Sequence, residues 1–489
     1  MSSATTAART SPSTNEFILL ILITAASFLV HGYHPYVEDA EIYIPGVKKA
    51  LNPGLYPHNT GFFASHAHLT LFPKLIAASV RVTHLSFDWA LLFWQFGAVF
   101  LLLLACWHLG RLCFDNPCAK WGGVALVASL LTIPVAGTAL YIMDQYLTSR
   151  ALSTPAVLFI LVNTVERKFW RAGLWAAFTA SIHPLMVGFG LSYAALVVAL
   201  PGLRREPRLP RAGIPFFPPM TETYRQVLHT RSYFFLLQWE WYEWVGIFAP
   251  WLIFWWFGRT ARRRGLAVLE SLCKASIVFG VVFFLAGVVI TIPTTMARFA
   301  ELQPLRSLHL LYILLFIFAG GMLAEFMLKN HVWRWLILFV PLATGMAYAQ
   351  RELFPATPQL ELPGLAPRND WVAAFRWIRD NTPNDAYFAL DPEHMEIAGE
   401  DQHGFRAIAE RSMLADKIKD SGAVTMFPAL AETWQEQVQA QQGWKSFTVT
   451  DFRRLHERFG VTWVVLNSPV IGGLACPYQN RSVLVCRAP

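Results

Sequence analysis

The chain has 489 residues, of which 55% are hydrophobic and 15% charged, with a formal net charge of +8. A soluble domain carries roughly 25% charged residues. With a mean hydropathy of +0.39, this chain is too poor in charge to cover a water-facing surface, which excludes an ordinary soluble protein. Its positive charge lies in short Arg clusters between apolar runs. That pattern reads as a topology signal and not as a nucleic-acid surface.

The first apolar run, residues 17–30, follows a Ser/Thr/Ala-rich leader. His31-Gly32-Tyr33-His34-Pro35 comes directly after it in place of a small-residue cleavage site, so the run is expected to remain as an uncleaved helix. Further apolar runs lie at 87–107, 121–142, 151–165, 172–201, 244–258, 266–292, 305–328 and 332–349. The longer ones approach the roughly 20 residues that span a bilayer. The expected fold is a membrane α-helical bundle of about 9–11 transmembrane helices over residues 1–349. Residues 70–83, interrupted by Pro73 and Lys74, read as an interfacial helix.

Short Lys/Arg-rich loops mark the cytoplasmic side. Arg167-Lys168 with Arg171, and Arg259 with Arg262-Arg263-Arg264, are therefore expected inside. Loop 32–69, loop 142–150, the turn from Arg298 to Arg306 and the tail after Ala349 are then outside. The run 172–201, interrupted at His183-Pro184, is expected to be one kinked crossing, leaving 202–243 outside. Short loops lean toward a bacterial cell membrane with a periplasmic tail.

The tail, 350–489, has the composition of a small soluble α/β domain. Trp371, Phe375 and Ile378 share one face of an expected helix over 370–380. A strand over 386–390, helices around 428–441 and 449–459, and strands over 461–466 and near 483–486 follow, an alternation typical of α/β folds. Cys476 and Cys486 flank a turn-like Pro477-Tyr478-Gln479-Asn480 and are open to two readings, a disulfide in an oxidising compartment or two free thiols.

Three polar clusters carry possible chemistry. In the first loop, Glu38, Asp39 and Glu41 place three carboxylates within four residues. On a helix Glu38 and Glu41 would share a face. Carboxylates of this kind hold a divalent cation such as Mg or Mn through oxygen, with Asp39 and Glu38 as its ligands, or take a proton as a general base. A solvated acidic turn is the plain alternative. The second cluster is Arg298, Glu301, Gln303, Arg306 and His309, where guanidinium groups can hold a phosphate bidentately or snorkel to headgroups. The third is Asp144, Tyr146 and Arg150, which can equally pair as a structural lock. His183, inside an apolar run, either lines a cavity or bridges helices. His66 and His68 are a further metal-ligand possibility with Asp39.

The run Glu38-Asp39-Ala40-Glu41-Ile42-Tyr43, followed by Lys48-Lys49-Ala50-Leu51-Asn52-Pro53-Gly54-Leu55-Tyr56, resembles the first external loop of the glycosyltransferase C superfamily. Those multi-spanning enzymes take sugars from polyprenyl-phosphate donors. The resemblance implies that Asp39 is the base or metal-binding carboxylate, assisted by Glu38 and Glu41. It also implies that Arg298 and Arg306 meet the lipid phosphate. From their residue types and positions, Gln303, His309, His183, Arg150 and Tyr43 are further expected to bind the substrate. The departure is Glu41, where relatives often carry an aromatic or neutral residue, and this leaves open which carboxylate is the base. Trp377 with Asn381-Thr382-Pro383 resembles segments in the tails of the same superfamily. The implied partners are a polyprenyl-phosphate sugar donor and membrane lipid. Two other classes compete: a transporter or flippase, expected to show paired repeats with broken helices, and a non-catalytic membrane scaffold.

Overall fold

The computed structural model describes residues 11–200, 220–467 and 472–489. The chain is mostly helical. Helix α1 (Thr14–His31) leads into a loop that folds as three short helices, α2 (Ala40–Leu51), α3 (Gly61–Leu69) and α4 (Phe72–Thr83). The bundle continues with α5 (Phe87–Cys113), α6 (Pro117–Ser129), α7 (Ser149–Val165), α8 (Phe169–Ile182) and α9 (Pro184–Ala199). After α10 (Glu222–His229) come α11 (Trp241–Arg264), α12 (Ala267–Thr291), α13 (Leu308–Leu323) and α14 (Val332–Leu353).

Among the described residues, five helical stretches are long and apolar enough to cross a membrane: α1, α5, α12, Arg298–Leu328 around α13, and α14. The expected count of about 9–11 is not reached on that criterion. Helices α7 and α9 are apolar but shorter, α6 and α8 are shorter still, and α11 is long but rich in Trp and Arg. Leu336 and Ile337 of α14 are more than half exposed, and none of that helix's apolar window is buried by protein. An apolar surface of that kind is covered by lipid and not by water. The chain is an integral membrane protein.

Two sequence expectations are corrected. The run 121–142 is not one helix. α6 stops at Ser129, and residues 130–148 form an irregular hairpin in which Pro134 bridges Tyr141. Pro134 removes a helical donor, and Ala136 and Ala139 take left-handed conformations with φ of 41° and 53°. The segment is held from three sides. Gln95 donates to the Asp144 carbonyl at 2.7 Å, the His31 ring meets Thr132 Oγ1 at 2.7 Å, and His309 Nε2 meets the Ile142 carbonyl at 3.0 Å.

The run 172–201 is not one kinked crossing either. His183 leaves the helical region at φ −152°, ψ 88°, as a residue preceding proline does. Beyond it α9 turns back. Val197 and Val198 share a cavity with Thr164 and Val165 at the end of α7 and with Phe169 at the start of α8. The same cavity is lined by Arg167 and by Ala267, so the two basic clusters expected inside lie at one end of the bundle. Part of the segment expected outside, 201–219, lies outside the described residues. At the bundle's centre two glycine pairs let backbones touch: a Cβ on Gly122 would fall 2.1 Å from the Gly320 carbonyl oxygen.

The tail begins after α14. It contains α15 (Asp370–Asn381), β1 (Tyr387–Leu390), α16 (Phe405–Ala409), β2 (Ser412–Met413), α17 (Asp420–Met426), α18 (Ala431–Ala440), α19 (Val449–Phe459), β3 (Trp463–Asn467), β4 (Tyr478–Gln479) and β5 (Val483–Arg487). The sheet order is β2-β1-β3-β5-β4, with β1 parallel to β2 and β3, and β5 antiparallel to β3 and β4. Cys476 and Cys486 are joined in a disulfide. The tail does not stand off from the bundle. Tyr33 bridges Leu360 and Val37 bridges His403, and Val37, Ala40 and Ile44 share one core with Phe375, Phe388 and Phe405.

Candidate functional site

The site is built at the end of the bundle opposite the basic clusters, where the first loop meets the tail. After α1 the backbone turns at Gly32, with φ 83°, and Glu38 takes a left-handed conformation with φ 55°. α2 therefore starts only at Ala40, and the three carboxylates part company. Glu38 and Asp39 face a cavity of about 440 Å3 lined also by Asp144, Arg150, Arg231, Tyr233, Arg306 and Lys419. Glu41 points the other way, so the expectation that Glu38 and Glu41 share a face is corrected.

Within the cavity the charges alternate. Lys419 Nζ donates to Glu38 Oε2 and, at 3.2 Å, to Asp39 Oδ1. Arg150 lies 2.6 Å from Asp144 Oδ2 and 3.8 Å from Asp39 Oδ2. The Asp39 N–H faces the Tyr146 hydroxyl at 3.4 Å. Arg231 donates to Ser421 Oγ at 2.7 Å and to the Ile418 carbonyl. Arg306 stacks over the Tyr233 ring at 5.1 Å, and its Nε is buried without a hydrogen-bond partner.

Burial alone would raise the Asp39 carboxyl. The Lys419 ammonium and the Arg150 and Arg306 guanidiniums overcome that and hold it well below the usual carboxylate range. Burial likewise pushes the Lys419 ammonium down, and Glu38 and Asp39 more than restore it, so it stays charged.

Glu41 is fully buried. Its two oxygens accept the backbone N–H groups of Arg406 and Ala407, both at 3.0 Å, at the start of α16. Arg406, itself 1% exposed, reaches Glu41 at 3.3 Å and Asp420 at 2.7 Å. Burial raises Glu41 to about 8, against the pull of Arg406 and the two amides. Its geometry is that of a clamp between loop and tail, and it does not line the cavity.

The remaining expected residues divide. Arg150 and Arg306 line the cavity. Tyr43 on α2 and His183 at the α8–α9 elbow lie within electrostatic reach of Arg150 and Arg306. Arg298 lies near Glu301 and Tyr224, away from the cavity lining. Gln303 contacts Met426 Sδ at 3.8 Å, and His309 is spent on the 130–148 hairpin. Lys419, Arg231 and Tyr233 were not singled out from the sequence. Each sits in a segment without motif or spacing, and tertiary folding alone brings it to the first loop.

The donor set does not suit a divalent cation. Among the described residues no group of three His, Cys, Asp or Glu side chains is placed to hold a metal. The gap between Glu38 and Asp39 is bridged by Lys419. His66 packs edge-on to Tyr43 and Phe427. A larger cleft of about 590 Å3 in the tail, lined by Asp391, Lys417, Lys445 and Trp444, has the exposed Lys417–Glu393 ion pair at its rim.

Residues 369–439 match a family model described as Domain of unknown function (DUF6798). That stretch contains Arg406, Lys419 and Asp420. No curated protein matches the chain. Among solved structures the chain is similar to the archaeal oligosaccharyltransferase AglB from Archaeoglobus fulgidus, in complex with an inhibitory peptide and a dolichol-phosphate. The identity is 12%, over 92% of this chain and 69% of that one, with a TM-score of 0.35.

Proposed function

We propose that this protein is a membrane glycosyltransferase that moves a sugar from a polyprenyl-phosphate-linked donor to an acceptor hydroxyl at the membrane face bearing the tail. The observation that carries the reading is one cavity holding both Asp39 and Arg306, the latter a guanidinium whose Nε has no hydrogen-bond partner. Transfer needs a carboxylate and a phosphate clamp within reach of one bound donor.

The acceptor oxygen attacks the anomeric carbon as the bond from that carbon to the phosphate oxygen breaks. Arg306 takes the charge left on the phosphate. The hydroxyl proton passes to Asp39. A carboxylate held this far down is a weak base in the empty cavity. An anionic donor cancels part of the field of Arg150 and Arg306, so donor binding itself raises the basicity of Asp39. Arg150, tied to Asp144, keeps the geometry fixed. By the positive-inside rule the basic clusters at the opposite end would face the cytoplasm, which supports a site and tail on the periplasmic side of a bacterial cell membrane. A disulfide in the tail suits that side.

The test is donor consumption by purified protein across a panel of polyprenyl-phosphate sugars, wild type against Asp39→Asn. Loss of the base should lower turnover by about 10²–10⁴-fold with the protein still monodisperse. A wild type that consumes no donor, or a fully active Asp39→Asn, refutes the reading.

A further inference from the structure

We infer that the Lys419 ammonium takes the place of a divalent cation between Glu38 and Asp39, so that the acidic pair is served by a cation from the chain itself. Lys419 stands immediately before α17. Its backbone N–H donates to Asp416 Oδ1 at 2.5 Å, and the next residue, Asp420, is locked to Arg406. The side chain is therefore delivered from a fixed base. Only 9% of it is exposed, and its Nζ bonds one oxygen of each carboxylate.

The second oxygen of Asp39 faces the Arg150 guanidinium at 3.8 Å. A Mg or Mn ion bonds oxygen at about 2.0–2.2 Å and keeps near-octahedral geometry. It could reach this pair only by expelling Lys419, whose ammonium would then be left buried without its partners. Charge counting points the same way. Four carboxylates line the cavity, Glu38, Asp39, Asp144 and Glu396, against four cations, Lys419, Arg150, Arg231 and Arg306. A dication would add two charges to a site that is already balanced. The present arrangement instead neutralises the acids internally and leaves Arg306 for an anionic ligand.

The inference concerns the cation and is read without turnover, so it stands or falls separately from the sugar-transfer proposal. Full-length protein in detergent is titrated with Mn2+, and the free ion is followed by electron paramagnetic resonance. Wild type should bind no equivalent with a dissociation constant below about 1 mM, the weak end of protein sites for such ions. Lys419→Ala should gain one equivalent, and adding Asp39→Asn should remove it. One equivalent bound by wild type and lost in Asp39→Asn overturns the inference, as does a folded Lys419→Ala that binds none. If Lys419→Ala does not purify, Lys419→Gln makes the same comparison, and the wild-type titration decides by itself whether the native site takes the ion.

Discussion

At the scale of single residues, two carboxylates separated by one alanine have opposite duties. Glu41 is fully buried with three N–H groups aimed at it. Removing it leaves the buried Arg406 and Ala407 backbone N–H groups without an acceptor, at about 1–3 kcal/mol for each unsatisfied group, although Arg406 keeps Asp420. Glu41→Ala should therefore lower the thermal midpoint of the detergent-solubilised protein strongly. Asp39→Asn should lower it less, since Lys419 keeps Glu38 and Arg150 keeps Asp144 as partners. Equal destabilisation by both would contradict the division. Arg306→Lys retains the charge but loses the fork that grips phosphate through two parallel bonds. Its effect should appear as a raised KM for donor, by about tenfold or more, with stability unaltered. The acidic run was legible from sequence because its residues are contiguous. Which of the three faces the cavity was not, since that is decided by the left-handed turn at Glu38.

At the scale of elements, the tail is a wall of the site and not an appendage. Loop and tail are joined by strand-like bridges at Tyr33 and Val37 and by a His–Glu–His contact. Glu361 meets His34 at 2.9 Å and His403 at 3.2 Å. Burial would raise Glu361, yet His403 and His34 bring it down to about 2. Burial would lower His403, yet Glu361 holds it above its ordinary value. The signs fix a window. The Glu361 contribution is complete above the unfolded value near 4.5 and is lost as pH falls from there toward about 2. The His403 contribution is complete below 6.5 and is lost as pH rises through its elevated folded value. The stability gap between wild type and His403→Gln should thus be widest near pH 5–6 and shrink toward pH 9 in thermal melts. A gap independent of pH would mean that His403 acts only by packing.

The sequence made the helices and strands of this tail legible through their periodicity. It gave no hint of the docking, because contacts such as Arg406 with Glu41 leave no local pattern. The errors at 121–142 and 172–201 share a cause. Hydropathy reports burial, and an irregular hairpin or an elbow inside a bundle is as apolar as a helix. The prolines, Pro134 and Pro184, were the available signals.

At the scale of the whole molecule, the bundle separates its charge. The Arg-rich turns lie at one end, and the paired acids and bases of the cavity lie at the other. Between them the helices pack through close backbone approach. A Cβ at Gly320 would sit 2.2 Å from the Gly122 carbonyl oxygen. Gly320→Leu should force α6 and α13 apart and remove folded protein from detergent extracts, measured as loss of the monodisperse peak. Gly345, with open space around it, should tolerate Ala with little change. Composition alone revealed the membrane character, because burying or lipid-coating so much apolar surface leaves no soluble alternative.

Lys419 lies 380 residues beyond Asp39 and 381 beyond Glu38, the acids it neutralises. On a ribosome the first loop emerges early and the segment after Asp416 emerges late. Until then Glu38 and Asp39 have no tail cation, and Glu41 has no Arg406. A product cut short before Lys419 would therefore carry the acidic pair without the cation that neutralises it.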